Sequence, residues 1–374
     1  MHLIIDGLVY ENKTQGGIAR IYREILPRLC ALEPSLKITL LAGHNRQATL
    51  PQHPHIQQEL LPTLPTLPLP VPFWGRLQRW RREQALAQAV MTASTGLWHT
   101  TYYTMPPPLQ LTPRIVTVYD MLHEQFPNFF NSRADDRFRQ QKKQVVQQAD
   151  AILAISETAK RDLCEAYRVP SKRVSVTPLA ASDVFQRLPA EKPLYKRPFL
   201  LYVGNRIHYK NFSGLLTAFA AWPRRAEFDL LVVGRPFSSL EQRQLAELGV
   251  AEQVVLASTV MGKTAVSDQL LCQLYNQARA FVYPSLGEGF GIPLLEAIAC
   301  GCPIVASRIP TTEEVAGSYP TYFDPTDSHS LIDALDVAVR QGRQVLVSVD
   351  TNVLQRYSWN LTAQLTLKRY RELL

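Results

Sequence analysis

At 374 residues the chain is longer than one hydrophobic core usually serves, and 46% hydrophobic residues is enough for two. The net charge of +8 is uneven, with 21 Lys/Arg against 15 Asp/Glu in residues 1–185, so the first half faces something anionic: a phosphorylated acceptor, a membrane surface or nucleic acid. There is no uninterrupted apolar run long enough to cross a membrane, the opening Met1-His-Leu-Ile-Ile-Asp6 reads as a strand, and the five cysteines lack paired zinc spacing; the expectation is a cytosolic protein with reduced thiols.

In chain order, apolar β-like runs alternate with helical stretches: a strand at 3–5, a helix at 18–32, a strand at 38–42, a long helix at 76–92, then strands at 115–119 and 151–155. Strands alternating with helices predict a parallel sheet covered on both faces. Between the first strand and helix, Gln15-Gly-Gly-Ile-Ala-Arg20 offers the backbone amides of Gly16 and Gly17 to an anion. A polyproline-type spacer at 61–72 leads into Phe73-Trp-Gly-Arg-Leu-Gln-Arg-Trp-Arg-Arg82, whose interleaved aromatics and arginines suit an anionic membrane surface or a lipid-linked acceptor. Asp120 and His123 fall at a strand end, where either could orient a sugar hydroxyl or take a proton; His99 is a further candidate.

The Pro- and Lys-containing stretch 188–198 reads as a linker between a first domain, 1–187, and a second, 199–356, with a terminal helix at 357–374. The second series has strands at 199–203, 228–233, 254–256, 281–283 and 304–306. Two doubly wound domains would enclose a cleft lined by the carboxyl ends of both sheets. After the strand at 199–203, Arg206 and Lys210 stand where a helix begins, two cations suited to a diphosphate whose charge grows as it departs. No Asp-x-Asp follows an apolar strand, so catalysis without a metal is expected.

Ser285-Leu-Gly-Glu-Gly-Phe-Gly-Ile-Pro-Leu-Leu-Glu296 is the most informative segment, reading as a strand, a glycine-framed turn and a helix with proline at its start. Glu288, and Glu296 in the first helical turn, are expected to face the nucleotide. Cys300 and Cys302, flanking Gly301, read as packing residues.

Together these segments resemble family 4 of the retaining glycosyltransferases, which have the GT-B architecture: α/β, two Rossmann-like doubly wound domains, and a terminal helix that crosses back to the first. The resemblance rests on Gly-Gly-Ile-Ala-Arg at 16–20, Tyr-Val-Gly-Asn-Arg at 202–206 with Lys210, Tyr-Pro-Ser at 283–285, the Glu-x7-Glu pair Glu288 and Glu296, and Ala-Cys-Gly-Cys-Pro-Ile-Val-Ala-Ser at 299–307. It implies that Arg206 and Lys210 bind the donor diphosphate, with Gly16 and Gly17 contributing backbone contacts. Glu296 would hold the ribose, Val260 would lie near the base, and Glu288 near the donor sugar with Phe290, Gly291, Ile292 and Leu295 around it. It also implies front-face transfer with retention, with Glu288 as nucleophile the alternative. Tyr119 stands where many members carry histidine, which leaves the acceptor-side role of His123 open. The Tyr-Asp-Met-Leu-His-Glu-x-Phe-Pro version looks like the bacterial branch that builds surface polysaccharides, often from GDP- or UDP-linked donors and with mannose. A nucleotide-sugar epimerase of the same fold and a non-catalytic basic binding protein remain the alternatives.

Overall fold

The structure is a computed structural model that describes residues 1–10, 17–43, 49–61, 84, 96–104, 113–189, 192–342 and 352–374. The chain divides into two compact units, Met1–Leu179 with Trp359–Leu374, and Ala180–Ser358.

The first unit is built on seven parallel strands: β1 (His2–Asp6), β2 (Lys37–Gly43), β3 (Ile56–Leu61), β4 (Leu97–Thr100), β5 (Arg114–Val118), β6 (Ala151–Ala154) and β7 (Val174–Val176). Their order is β3-β2-β1-β4-β5-β6-β7. The central strands are apolar runs because helices cover both faces, and Leu3, Ile4 and Ile5 are fully buried. Its helices are α1 (Gly17–Leu32), α2 (Leu122–Gln125), α3 (Arg133–Gln148) and α4 (Glu157–Tyr167). Ser132 and Asp135 close a capping box at the start of α3, and Ser156 caps α4. Asp135 and Asp136 are thus first-turn residues that complement the helix dipole.

Six parallel strands form the second sheet: β8 (Phe199–Val203), β9 (Asp229–Val233), β10 (Val254–Leu256), β11 (Ala280–Tyr283), β12 (Ile304–Ser307) and β13 (Thr321–Phe323), in the order β10-β9-β8-β11-β12-β13. Around them lie α5 (Phe212–Ala221), α6 (Ser239–Glu247), α7 (Ala257–Val260), α8 (Asp268–Gln277), α9 (Ile292–Ala299), α10 (Pro310–Ala316), α11 (Ser328–Gln341) and α12 (Asn352–Gln355). Leu200, Phe219, Trp222, Leu230, Val282 and Leu335 share one core. Trp222 is almost wholly enclosed and still satisfies its indole N–H on Asp336 Oδ1 at 2.9 Å, as a buried donor requires. The chain then returns to the first unit as α13 (Trp359–Arg371), which packs on α1 and donates from Thr362 Oγ1 to the Pro178 carbonyl at 2.5 Å.

Several expectations need correction or fall outside the described residues. The stretch 188–198 is no free linker, because side chains of α8 bind its backbone: Leu188 N donates to Asn276 Oδ1 at 3.0 Å and Leu194 N to Gln277 Oε1 at 2.7 Å. The division between units falls instead after Leu179. The spacer at 61–72 lies beyond the described residues except at Leu61, and the segment Phe73 to Arg82 and Gly16 lie outside them entirely, as does the expected helix at 76–92 except Gln84.

Candidate active site

In the second sheet strand order reverses between β8 and β11, so the crevice of a doubly wound fold opens at the carboxyl ends of those two strands. After β8 the chain passes Gly204 and Arg206, makes a 3-10 turn at His208–Lys210, and enters α5 through Asn211 in the left-handed region at φ 52°. Asparagine is one of the few non-glycine residues that visit that conformation, and its side-chain amide is fixed by a long-range bond to the Pro325 carbonyl at 3.1 Å. After β11 the loop Pro284–Gly291 leads into α9. Gly291, the N-cap, has φ 108°, and a Cβ there would meet Leu294 Cδ1 at 3.0 Å and the Tyr283 hydroxyl at 3.3 Å.

The two loops are joined directly. Leu286 N donates to the Tyr209 carbonyl at 2.7 Å, and Lys210 Nζ donates to both Glu288 oxygens, at 2.6 and 2.8 Å. Thr311 Oγ1, on α10, fixes the Glu288 carbonyl at 2.8 Å. The Lys210 side chain is 19% exposed and that of Glu288 8%, so the pair is shielded yet reachable. Such a pair is favourable only when further bonds and good geometry offset its desolvation, and the two-oxygen contact supplies them. Tyr283 stands beside it, its hydroxyl pushed well above the usual range by burial first and then by the Glu288 carboxylate.

Arg206 is not the solvated loop cation that a basic strand exit suggests. Its side chain is 5% exposed, with Nε on Glu241 Oε1 at 2.5 Å, Nη2 on the Pro236 carbonyl at 3.0 Å, and the guanidinium over the Phe237 and Phe212 rings at 4.8 and 5.6 Å. Nη1 alone is buried with no partner among the described residues. Glu241 is a residue the sequence reading missed; Ser238-Ser-Leu-Glu241 carries a capping-box pattern, but nothing local announces the bond to Arg206.

Glu296 lies a full turn into α9, not in its first turn, because the helix begins at Ile292. It is 4% exposed and accepts from the Tyr275 hydroxyl at 3.3 Å. Phe290 is 3% exposed and Leu295 fully enclosed, so their side chains serve the core; Ile292 is partly exposed at the helix start. Val260, at the end of α7, is 39% exposed. Cys300 and Cys302 are buried as packing residues, with Cys300 Sγ 3.8 Å from Cys272 Sγ. Among the described residues no three His, Cys, Asp or Glu side chains gather as a metal site.

In the first unit Gly17 opens α1 with nothing within 4 Å of the position a Cβ would take. Asp120 follows β5, and its Oδ1 accepts from Leu122 N at 3.1 Å in a local turn just ahead of α2, while Lys142 Nζ binds its carbonyl at 2.6 Å. His123 stacks on Phe130 at 4.0 Å between centroids, its Nε2 3.8 Å from Asp135 Oδ1; burial lowers its pKa against the pull of Asp120. His99 is fully buried between Tyr370 and Thr117, at 2.5 and 2.8 Å, with its pKa lowered to about 3 by burial; it is a neutral core residue.

Residues 15–181 match the model of Glycosyltransferase Family 4, and residues 185–346 that of Glycosyl transferases group 1. The O-antigen chain mannosyltransferase RfbU of Salmonella typhimurium is 30% identical over 255 residues, 67% of each chain. The chain belongs to glycosyltransferase family 4. It is a glycosyltransferase, as the motif series around Glu288 and Glu296 implied. Another relative, O-antigen chain mannosyltransferase B of Escherichia coli, is 28% identical over 382 residues, 95% of this chain and 96% of its own. Among solved structures, sucrose-phosphate synthase from Thermosynechococcus elongatus superposes with a TM-score of 0.76 at 18% identity, covering 100% of this chain and 98% of its own, which bears out the GT-B fold.

Proposed function

We propose that this glycosyltransferase moves a hexose, mannose from GDP-mannose in the first instance, from a nucleotide-sugar donor to a sugar or lipid-linked acceptor in the synthesis of a surface polysaccharide. Two relatives are named as O-antigen chain mannosyltransferases, which supports both the sugar and the product class. The observation that carries the reading is the Lys210–Glu288 pair at the β8/β11 switch point. An ammonium there meets the donor diphosphate, and a carboxylate beside it meets the sugar.

Transfer breaks the bond between the anomeric carbon and the phosphate oxygen, and forms the bond to the acceptor oxygen on the same face. The departing phosphate takes the acceptor proton, and its growing negative charge is stabilised by Lys210 and by the Nη1 edge of Arg206. These cations supply the charge that a metal would otherwise bring, so the reaction runs without one. Glu288 is ion-paired, which lowers its nucleophilicity and supports the front-face route over a covalent intermediate. Glu296 is the proposed ribose ligand, and Asp120 and His123, in the first unit, are the residues proposed to serve the acceptor. Among the described residues no helix is long and apolar enough to cross a membrane. The proposed place of action is the cytoplasm, with the basic and aromatic sequence Phe73 to Arg82 as the proposed contact with the inner membrane face.

Melting the protein with UDP, GDP, ADP and their sugars, with magnesium or with EDTA, tests the donor assignment by linkage. Stabilisation by GDP and GDP-mannose in EDTA is expected. A preference for UDP would replace the donor, and stabilisation by none would remove the diphosphate site. Release of an epimer from the donor without acceptor would turn the reading to an epimerase.

A further inference from the structure

Arg206 is held from three sides by one short segment. Pro236 supplies a carbonyl, Phe237 a ring face, and Glu241, three residues into the turn that opens α6, supplies the carboxylate. Glu241 does two things at once. Its Oε2 accepts from Ser238 N at 2.6 Å and from Ser238 Oγ at 2.8 Å, closing the capping box, while Oε1 takes Arg206 Nε at 2.5 Å. The cap fixes the carboxylate, and the carboxylate fixes the guanidinium. Gly234 keeps the remaining side open, since a Cβ there would lie 2.6 Å from the Gly204 carbonyl and 3.0 Å from Arg206 Nη1. With Nε and Nη2 engaged, Nη1 is the nitrogen left buried and unpartnered.

We propose that Glu241 is a positioning residue for nucleotide-sugar binding, acting through Arg206: anchored by the Ser238 cap, it turns the guanidinium so that Nη1 meets a phosphate oxygen of the donor. This rests on the reading of Arg206 as a diphosphate ligand. A long side chain with many rotamers would otherwise be ordered only when the donor arrives, and ordering it beforehand raises affinity. The Glu241 carboxyl is held ionised. Burial raises its pKa, but the hydrogen bonds from Arg206 and Ser238 outweigh burial and lower it.

The test measures nucleoside-diphosphate affinity by titration calorimetry, and donor KM and kcat by transfer, in E241Q, E241D, R206A and the double variant E241Q/R206A. Glutamine keeps the size and the bond to Ser238 N but not the negative charge, so E241Q is expected to weaken diphosphate binding and raise donor KM about five- to tenfold, and to lower kcat as well, because the same guanidinium stabilises the departing phosphate. E241D, which keeps the charge, should recover part of the loss. In the R206A background E241Q should add nothing, because the two act as a unit. Unchanged or tighter binding in E241Q while R206A weakens it would overturn the proposal, as would additive losses in the double variant. If R206A itself binds the diphosphate normally, the reading of Arg206 as a ligand fails instead.

Discussion

At the end of β1 Asp6 is fully enclosed, its carboxylate taken by Thr100 Oγ1 at 2.6 Å and Thr101 Oγ1 at 2.5 Å. At the equivalent place in the other sheet, Lys210 and Glu288 face each other with 19% and 8% of their side chains exposed. Both places are switch points of all-parallel sheets, between β1 and β4 in one and between β8 and β11 in the other. The first closes its polar groups inward: His99, Tyr22, Thr117, Tyr119 and Tyr370 form one buried network linking β4, β5, α1 and α13. The second spends its charges on a reachable pair. One strand order thus provides a crevice in each sheet, and the residues just beyond the strands decide whether that crevice is filled by the protein or left for a ligand.

The contrast breaks most sharply at Glu288. Glu288→Gln removes the charge without changing the volume, and transfer is expected to fall about 10²- to 10³-fold, the scale of losing one preorganised electrostatic group. The melting temperature should fall by a few degrees with the protein still folded, because the side chain is only 8% exposed and its loss of charge leaves the shielded Lys210 ammonium unpaired. Transfer of labelled sugar from donor to acceptor measures it; a variant with full turnover would make Glu288 a loop residue like any other.

Acid separates the two regions next. The unfolded chain protonates His99 near the ordinary value of 6.5, whereas burial holds the folded residue neutral down to about 3. Between those values the unfolded state binds more protons, so stability from this site is complete above pH 6.5 and falls steadily as pH drops toward 3, by an amount of order a few kcal/mol. Protection factors of the β4 and β5 amides, taken against the intrinsic exchange rate at each pH, should fall between pH 6.5 and 4, and His99→Gln should flatten that dependence. An equal pH dependence in the variant would assign it to other groups.

What the sequence made legible follows from range. The strand 199–203 was readable as an unbroken apolar run, and Lys210 and Glu288 as charges beside glycines at strand exits, because those patterns are local. β4, Leu97-Trp-His-Thr100, was not read as a strand although all four residues are buried: a polar histidine and threonine break the apolar signature, and the ring is satisfied from elsewhere, by Thr117 and by Tyr370, 271 residues away. Glu241 was equally hidden, since its bond to Arg206 spans 35 residues. The stretch 188–198 looked like a linker by its prolines and lysines, but Asn276 and Gln277 tie it down, and composition does not report hydrogen bonds supplied from elsewhere.

The smallest expected effect is the sharpest about what α13 does. Tyr370 is fully buried and its hydroxyl lies 2.5 Å from His99 Nδ1. Tyr370→Phe deletes one oxygen, creates almost no cavity, and leaves a buried ring nitrogen without that partner, which costs about 1–2 kcal/mol. Urea unfolding should show a lower midpoint with unchanged slope. Affinity for the nucleoside diphosphate should be unchanged, because Lys210, Glu288 and Arg206 are held entirely by residues of their own unit. A variant that lost nucleotide affinity while keeping its stability would mean that the polar core of the first unit is a functional element, and that its closed switch point does more than hold the terminal helix to the sheet.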